Sequence, residues 1–270
     1  MSFYTSLNGL KNAQTDLGVI AHNIANVETN GFKKGSTQFA DIVAGSAQTD
    51  PRMVKGIGAT VEAITQNFSL GPIEQTGASL DVAITGDGFF ATRSAETGKT
   101  LYTRNGSFGL DEAGYITDGG INRLQVFPTD AAGVPTSATP VDALIPPVNG
   151  AGAEYVGVVV GNDGLVSASY ADGSVEPVGS IALASFIVPT GLKQVGSSNW
   201  ESTGISGAAN FGSPGSGQFG ALLSGALERS NVDIAEELVG LITAQRNFQA
   251  NAKAIDTATQ ISQTVINLRT

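Results

Sequence analysis

Apolar residues recur with helical spacing at the two ends of the chain and with strand spacing between them. Over residues 2–27, Phe3, Leu7, Leu10, Leu17, Ile20, Ile24 and Val27 stand three, four or seven positions apart, which lines them along one stripe of a helix. Gly9 and Gly18 lower the intrinsic helix preference, so this helix needs a packing partner. Residues 232–268 contain no proline and a single glycine, Gly240. Here Ile234, Leu238, Leu241, Phe248, Ile255 and Ile266 recur at three- and four-residue steps and their multiples. Asn231 or Asp233 can cap the start, and Glu236 and Glu237 complement the dipole of the first turn. Such a helix extends roughly 55 Å at about 1.5 Å per residue, more than a globular domain needs and suited to a bundle or a fibre.

Between these ends the period changes. Asn30 and Gly31 close the first helix, and residues 29–77 are mixed, with short β-like runs at 59–64 and 73–76. Residues 78–223 read as strands: Leu80, Val82 and Ile84 alternate with polar or small residues. Phe89 and Phe90 follow a Gly86-Asp87-Gly88 turn, residues 101–104 form a strand, and Asn105-Gly106 signals a hairpin. Further strands fall at 155–160 and 181–188, whereas 129–147 and 204–217, rich in Pro, Gly, Ser and Ala, read as loops. The expected fold is α+β: long N- and C-terminal helices packed as a coiled-coil-like pair, flanking one mainly antiparallel β domain. The expected divisions are residues 1–30 plus 228–270 as a helical core domain, 31–77 as a connecting segment, and 78–227 as a β-rich outer domain. The two apolar stripes bury themselves against each other or against neighbouring copies, and the second option makes a polymer.

Composition narrows the chemistry. The 24 acidic against 14 basic residues give a net charge of -10, which repels phosphate backbones and anionic lipid, so neither nucleic acid nor membrane insertion is expected. There is no cysteine, hence no disulfide and no thiolate metal site. The N-terminus lacks the basic start, apolar run and small-residue cleavage site of a secretory signal, so export without a cleaved signal peptide is the alternative to a cytosolic location. His22 is the only histidine and sits in the first amphipathic helix beside the Asn run, which favours a packing or interface role over a zinc site or a catalytic triad. Asp81, Asp87, Asp111 and Asp118 lie near β turns, where Asp bonds the backbone. The Gly-x-Gly pairs at 56–58 and 86–88 are too short for phosphate loops, and Trp200 reads as core. No catalytic, cofactor-binding or metal-ligating residue is expected.

Asn23, Asn26, Asn30, Asn247 and Asn251 carry both donors and acceptors. Buried between helices, they fix register at some cost in stability; in solvent, they cap helix ends. For Asn30 both readings stand, while Asn247 and Asn251, mid-helix and poor helix formers, favour an interface.

Four blocks carry a family resemblance. Ile20-Ala-His-Asn-Ile-Ala-Asn-Val-Glu-Thr-Asn-Gly-Phe-Lys33 resembles the N-terminal signature of flagellar rod and hook proteins, with His22 where that family usually has Asn. Residues 80–90, then Tyr102-Thr-Arg-Asn-Gly-Ser-Phe108, then Leu227-Glu-Arg-Ser-Asn-Val-Asp233 with Gln245-Arg-Asn-Phe-Gln-Ala-Asn251 and Lys253, resemble its later blocks in order. The resemblance implies that the terminal helices pack into an innermost tube around an export channel, with the β domain as an outer shell. It implies assembly contacts at Leu7, Leu10, Leu17, Ile20, Asn23, Ile24, Asn26, Asn30 and Phe32, and at Asn231, Leu238, Leu241, Gln245, Arg246, Phe248, Asn251 and Ile255. It further implies secretion through the flagellar type III apparatus to an extracellular position in the flagellum, with Phe39 and Val43 as an export-motif candidate beside the plainer reading of a buried pair one helical turn apart. The implied partners are further copies of the chain, adjoining rod, hook-cap and hook-filament junction proteins, and the export apparatus. Met1-Ser-Phe3, Phe39-Ala-Asp41 and the short interval from Phe39 to Gly58 resemble the hook branch, which implies a flexible tubular joint transmitting torque. The alternative is a distal-rod subunit, which the chain's shortness favours. A reading of another class, a secreted β-rich carbohydrate-active enzyme or adhesin, leaves the Asn-rich terminal helices unexplained.

Overall fold

A computed structural model describes residues 2–44, 54–119 and 122–267. The chain divides into two units. One holds Met1–Val27, Lys34–Asn67 and Val232–Thr270; the other holds Glu28–Lys33 and Phe68–Asn231.

The helical unit contains α1 (Ser2–Ala25) and α2 (Ile234–Asn267). They run antiparallel: Asn23 bonds Glu237, Ile20 lies over Gly240, and Gly9 lies against Asn251. A Cβ on Gly9 would stand 2.8 Å from Asn251 Cγ, so glycine's missing side chain lets the helices close there. Asp233 caps α2, its Oδ1 accepting from the N–H groups of Ala235 at 2.8 Å and Glu236 at 3.2 Å. α1 ends at Ala25, earlier than the Asn30-Gly31 boundary read from the sequence. Asn26 Nδ2 turns back to the carbonyl of His22 at 2.9 Å and closes its last turn.

The same unit contains a β hairpin that pattern alone leaves as connector: β1 (Gly35–Ala44) and β2 (Lys55–Gln66), antiparallel from Gly35 opposite Gln66 to Ala44 opposite Lys55. Register shifts at Gln38/Phe39 and Ile42/Val43 break the strict alternation. α1 holds the hairpin through Asn12 Nδ2, which donates to the Ala59 carbonyl at 2.9 Å.

In the β unit, the main sheet runs in the spatial order Tyr155–Val160, Leu165–Tyr170, Val175–Ile181, Asn122–Phe127, Phe89–Ser94, Thr100–Thr103, Asn199–Glu201, Lys193–Gly196. Every neighbouring pair is antiparallel. Its large core gathers Val82, Ile84, Phe90, Leu124, Val166 and Ile181 among others, and a second cluster sets Trp200 and Phe89 edge-on to Phe68. Trp200 is core, as its place in the sequence suggests. Asp111 bonds the backbone of its turn, its Oδ1 accepting from Ala113 at 3.0 Å and Tyr115 at 2.7 Å.

Asn105-Gly106 is not a hairpin turn. The strand before it pairs with Phe89–Ser94 and Asn199–Glu201, and Phe108–Leu110 after it pairs with Ile116–Asp118. Gly106 is there for room: a Cβ would stand 2.8 Å from the Val82 carbonyl carbon and 3.2 Å from the Phe90 ring. Val82 N–H donates to the Gly106 carbonyl at 3.0 Å across that close approach.

Candidate functional site

In the helical unit, α2 presents two different faces. Glu237, Leu241, Ala244, Phe248, Asn251, Ile255 and Ala258 alternate steps of four and three and are all buried or half-buried. That is the seven-residue period of a coiled-coil seam, facing α1. Leu238, Val239 and Ile242 lie on the other side, exposed by 46, 66 and 50%, while Ile234, seven residues before Leu241 on the seam, is exposed at the start of the helix. The single stripe read from the sequence is therefore two. Glu237, Ala244 and Asn251 sit on the seam without being strongly apolar, so following large apolar residues alone jumps between faces at Leu238.

A polar pin holds the seam at the end near Asn23. Asn23 is buried; its amide accepts from Gly35 N–H at 2.9 Å and donates to Gly35 carbonyl at 2.8 Å and to Glu237 Oε2 at 3.1 Å. Lys34 meets Glu237 at 2.8 Å and Glu236 at 3.0 Å. Burial opposes the Lys34 charge, but these two carboxylates outweigh it and raise its pKa. Asn23 thus ties α1, the start of β1 and α2 together, the register-fixing role that buried amides take in helix pairs.

The other expected assembly residues fall into three groups. Ile20 and, in the β unit, Phe32 are buried within the subunit. Leu7, Leu10, Leu17, Ile24, Asn26, Leu241, Phe248, Asn251 and Ile255, and in the β unit Asn30 and Asn231, are half-buried. Leu238, Gln245 and Arg246 are exposed. Phe39 and Val43 lie on β1, both exposed, so they are not a buried pair on a helix. Val239 and Ile242 are exposed apolar residues that the sequence reading passed over; their signal was apolar side chains off the seven-residue period.

Inside the β unit is a site that pattern alone did not identify. The Glu228 carboxylate binds Lys33 Nζ, Gly71 N–H at 2.9 Å and Arg104 at 3.4 Å. Lys33, Arg104 and Glu228 are all at least 97% buried. Burial lowers the pKa of Lys33 and of Arg104, and Glu228 pushes both back toward the charged form. Arg104 also lies 5.2 Å over the Phe89 ring and feels the charge of Asp87. Lys33 donates a second bond to the Ser69 carbonyl at 2.7 Å, and Asn231 reaches the same carbonyl at 3.2 Å. Arg229 pairs with Glu28 and, at 3.3 Å, with Asn30. Gly31, at φ +67°, presses on the backbone of Arg104 and Asn105, where a Cβ would come within 2.6 Å of the Arg104 carbonyl carbon.

Each of the four sequence blocks therefore sends a residue here: Lys33 from the first, Asp87 and Phe89 from the second, Arg104 from the third, Glu228 and Arg229 from the fourth. The cluster binds together the three stretches through which the chain enters and leaves the β unit. It has a structural job and no open carboxylate pair, and among the described residues no three His, Asp or Glu side chains group as metal ligands do. Among the described residues no helix is long and apolar enough to cross a membrane.

Paired terminal helices with an unspent apolar face, and a β unit clamped at its chain entries, define a structural subunit built to associate. Family comparison agrees along the chain. A model described as flagella basal body rod protein matches residues 3–33, the flagellar hook protein FlgE/F/G D1 domain matches 83–168, and the flagellar basal body rod FlgEFG protein C-terminal region matches 223–268. The flagellar basal-body rod protein FlgG of Bacillus subtilis is 36% identical over 280 residues, covering 99% of this chain and 98% of that protein. FlgG of Borreliella burgdorferi is 33% identical over 283 residues, with 99 and 98% covered. The flagellar hook protein FlgE of Salmonella typhimurium is 30% identical over 411 aligned positions, spanning 100% of both chains. The chain belongs to the flagellar basal-body rod and hook axial protein family, and it is a structural axial subunit and not an enzyme. Its length matches the short FlgG-type form, and the FlgG similarities are the stronger ones, so the hook reading drawn from the opening residues and the Phe39–Gly58 interval is the weaker of the two.

Proposed function

We propose that this chain polymerises as a distal-rod subunit of the flagellar axis, transmitting torque as a stiff segment. The carrying observation is the near end-to-end match to FlgG, 280 aligned residues at 36% identity, against the 411 positions needed to span a hook protein. Subunits associate through the α2 face bearing Leu238, Val239 and Ile242, whose burial against further copies supplies about 1.5–3 kcal/mol per side chain. Repeated head-to-tail, such contacts grow a tube and do not close. The partners are other copies, the adjoining axial proteins and the type III export apparatus, which delivers the chain to the extracellular flagellum with no signal peptide removed. Phe39 and Val43, exposed on β1, are presented for recognition during export.

Deletion of the gene followed by electron microscopy of isolated basal bodies tests the position. Rods truncated before their distal part support this reading. Complete rods that lack only a hook would assign the chain to the hook instead, the reading favoured by the hook-like opening residues.

A further inference from the structure

The main sheet of the β unit has two open edges, and they differ. At one end lies Tyr155–Val160, a strand of one tyrosine, one glycine and four valines with no charge and no proline. Its inward side chains Val158 and Val160 belong to the core, but Val156 and Val159 are exposed by 67 and 56%. The outward face continues uncharged onto the next strands: Val159 stands opposite Ser167 and Ser167 opposite Pro177, while Ser169 stands opposite Val175, itself 63% exposed. Folded monomers guard an edge with charge, proline or brevity, because its unpaired N–H and C=O groups otherwise template another strand. From Gly157 onward this edge has none of these guards; at its start Tyr155 N–H donates to the Pro147 carbonyl at 3.0 Å and Glu154 bridges Val148.

At the other end lies Lys193–Gly196, a four-residue strand exposed throughout and bonded on one side only, to Asn199–Glu201. It carries a lysine and an exposed valine, Val195.

We infer that the Tyr155–Val160 edge of one copy pairs with the Lys193–Gly196 edge of the next, so that the sheet continues from subunit to subunit. The occupant is a second copy of this chain, because one sheet offers both halves of the contact and the axial reading sets such copies side by side. The pairing joins unlike surfaces and so propagates without closing. Main-chain bonds supply attraction, and the valines on the outward face exclude water from them. This rests on the axial-polymer reading and adds to it a second contact, made by the β unit and separate from the helices.

The chain has no cysteine, which makes cross-linking unambiguous. Val159→Cys and Val195→Cys are placed together in one gene copy replacing the native one, and isolated basal bodies are oxidised and run without reductant. A ladder of dimers, trimers and higher species, absent from either single variant, is expected. Assembled axial structures without cross-links would overturn the edge pairing and leave the axial reading standing. Dimers from Val159→Cys alone, at the yield of the double variant, would overturn it in favour of like edges meeting. Absence of even the wild-type chain from these structures would remove the axial reading, and the edge pairing with it. Val159→Lys gives an independent check: it is expected to abolish incorporation while leaving the monomer's melting temperature unchanged, and normal incorporation would overturn the inference.

Discussion

Lys33 and Lys34 are neighbours in sequence but serve different units, and they show how differently the two are finished. Lys33 is sealed inside the β unit with Glu228 and Arg104, its side chain 0% and that of Glu228 1% exposed. Lys34 bonds Glu237 in the helical unit while Glu236, its second partner, is 70% exposed. The β unit encloses its charges at the points where chain enters and leaves. In the helical unit Asn23 and Glu237 are buried as well, but Lys34 and Glu236 bring the pin to solvent, and α2 carries large apolar side chains that are about half exposed or more. The β unit closes its charge cluster within itself, whereas the helical unit leaves large apolar side chains of α2 in solvent.

The largest test of this contrast is a matched pair of substitutions. Glu228→Gln strands two cations in the interior and is expected to cost about 3–5 kcal/mol. Glu237→Gln keeps an amide able to bond Asn23 and loses a partly solvated pair, at roughly 1 kcal/mol. Denaturant titration measures both, and equal losses would erase the distinction between the units.

A smaller effect concerns Asp118, buried beside Asn199, whose Nδ2 donates to it at 3.1 Å. Burial raises its pKa above the ordinary 3.8, against bonds from Asn199 and Asn122 that lower it. The folded chain therefore holds this proton more tightly than the unfolded chain does. Its contribution is fully present below the unfolded value and is lost as pH rises through the folded one. Asp118→Asn is expected to flatten the decline in melting temperature just above pH 4; an unchanged slope would show that the carboxylate is not desolvated.

The smallest effect on the monomer is expected from Leu238→Lys with Ile242→Lys. Both positions are about half exposed, so stability should change by about 0.5 kcal/mol or less, while assembly, followed by sedimentation, should fail. A monomer that unfolds instead would mean that this face is already spoken for within the subunit.

Much of this was legible in the sequence, though unevenly. Helix existence followed from spacing, and the four blocks gave the family, but not what they are for. The first and last were read for their terminal helices and the middle two as β-domain segments, yet Lys33, Arg104 and Glu228 converge inside the β unit, across sequence separations that no local period reports. Asn23 was legible as a buried register-fixing amide because an amide amid apolar helical positions has few other uses. Of the β1–β2 hairpin only residues 59–64 were read as β-like, because its two register shifts spoil the alternation that marks a strand. Asn105-Gly106 misled because the same dipeptide that favours a tight turn also supplies the bare backbone needed against Val82.

The sealing of Lys33 against Glu228 has a consequence for the medium the protein works in. Dissolved ions weaken attractions between charges in contact with water over about 8 Å at 0.15 M, and far less where water is excluded. The Lys34–Glu236 pair should loosen in brine, whereas the bond fastening the entry and exit strands of the β unit should hold equally in fresh water and in the sea.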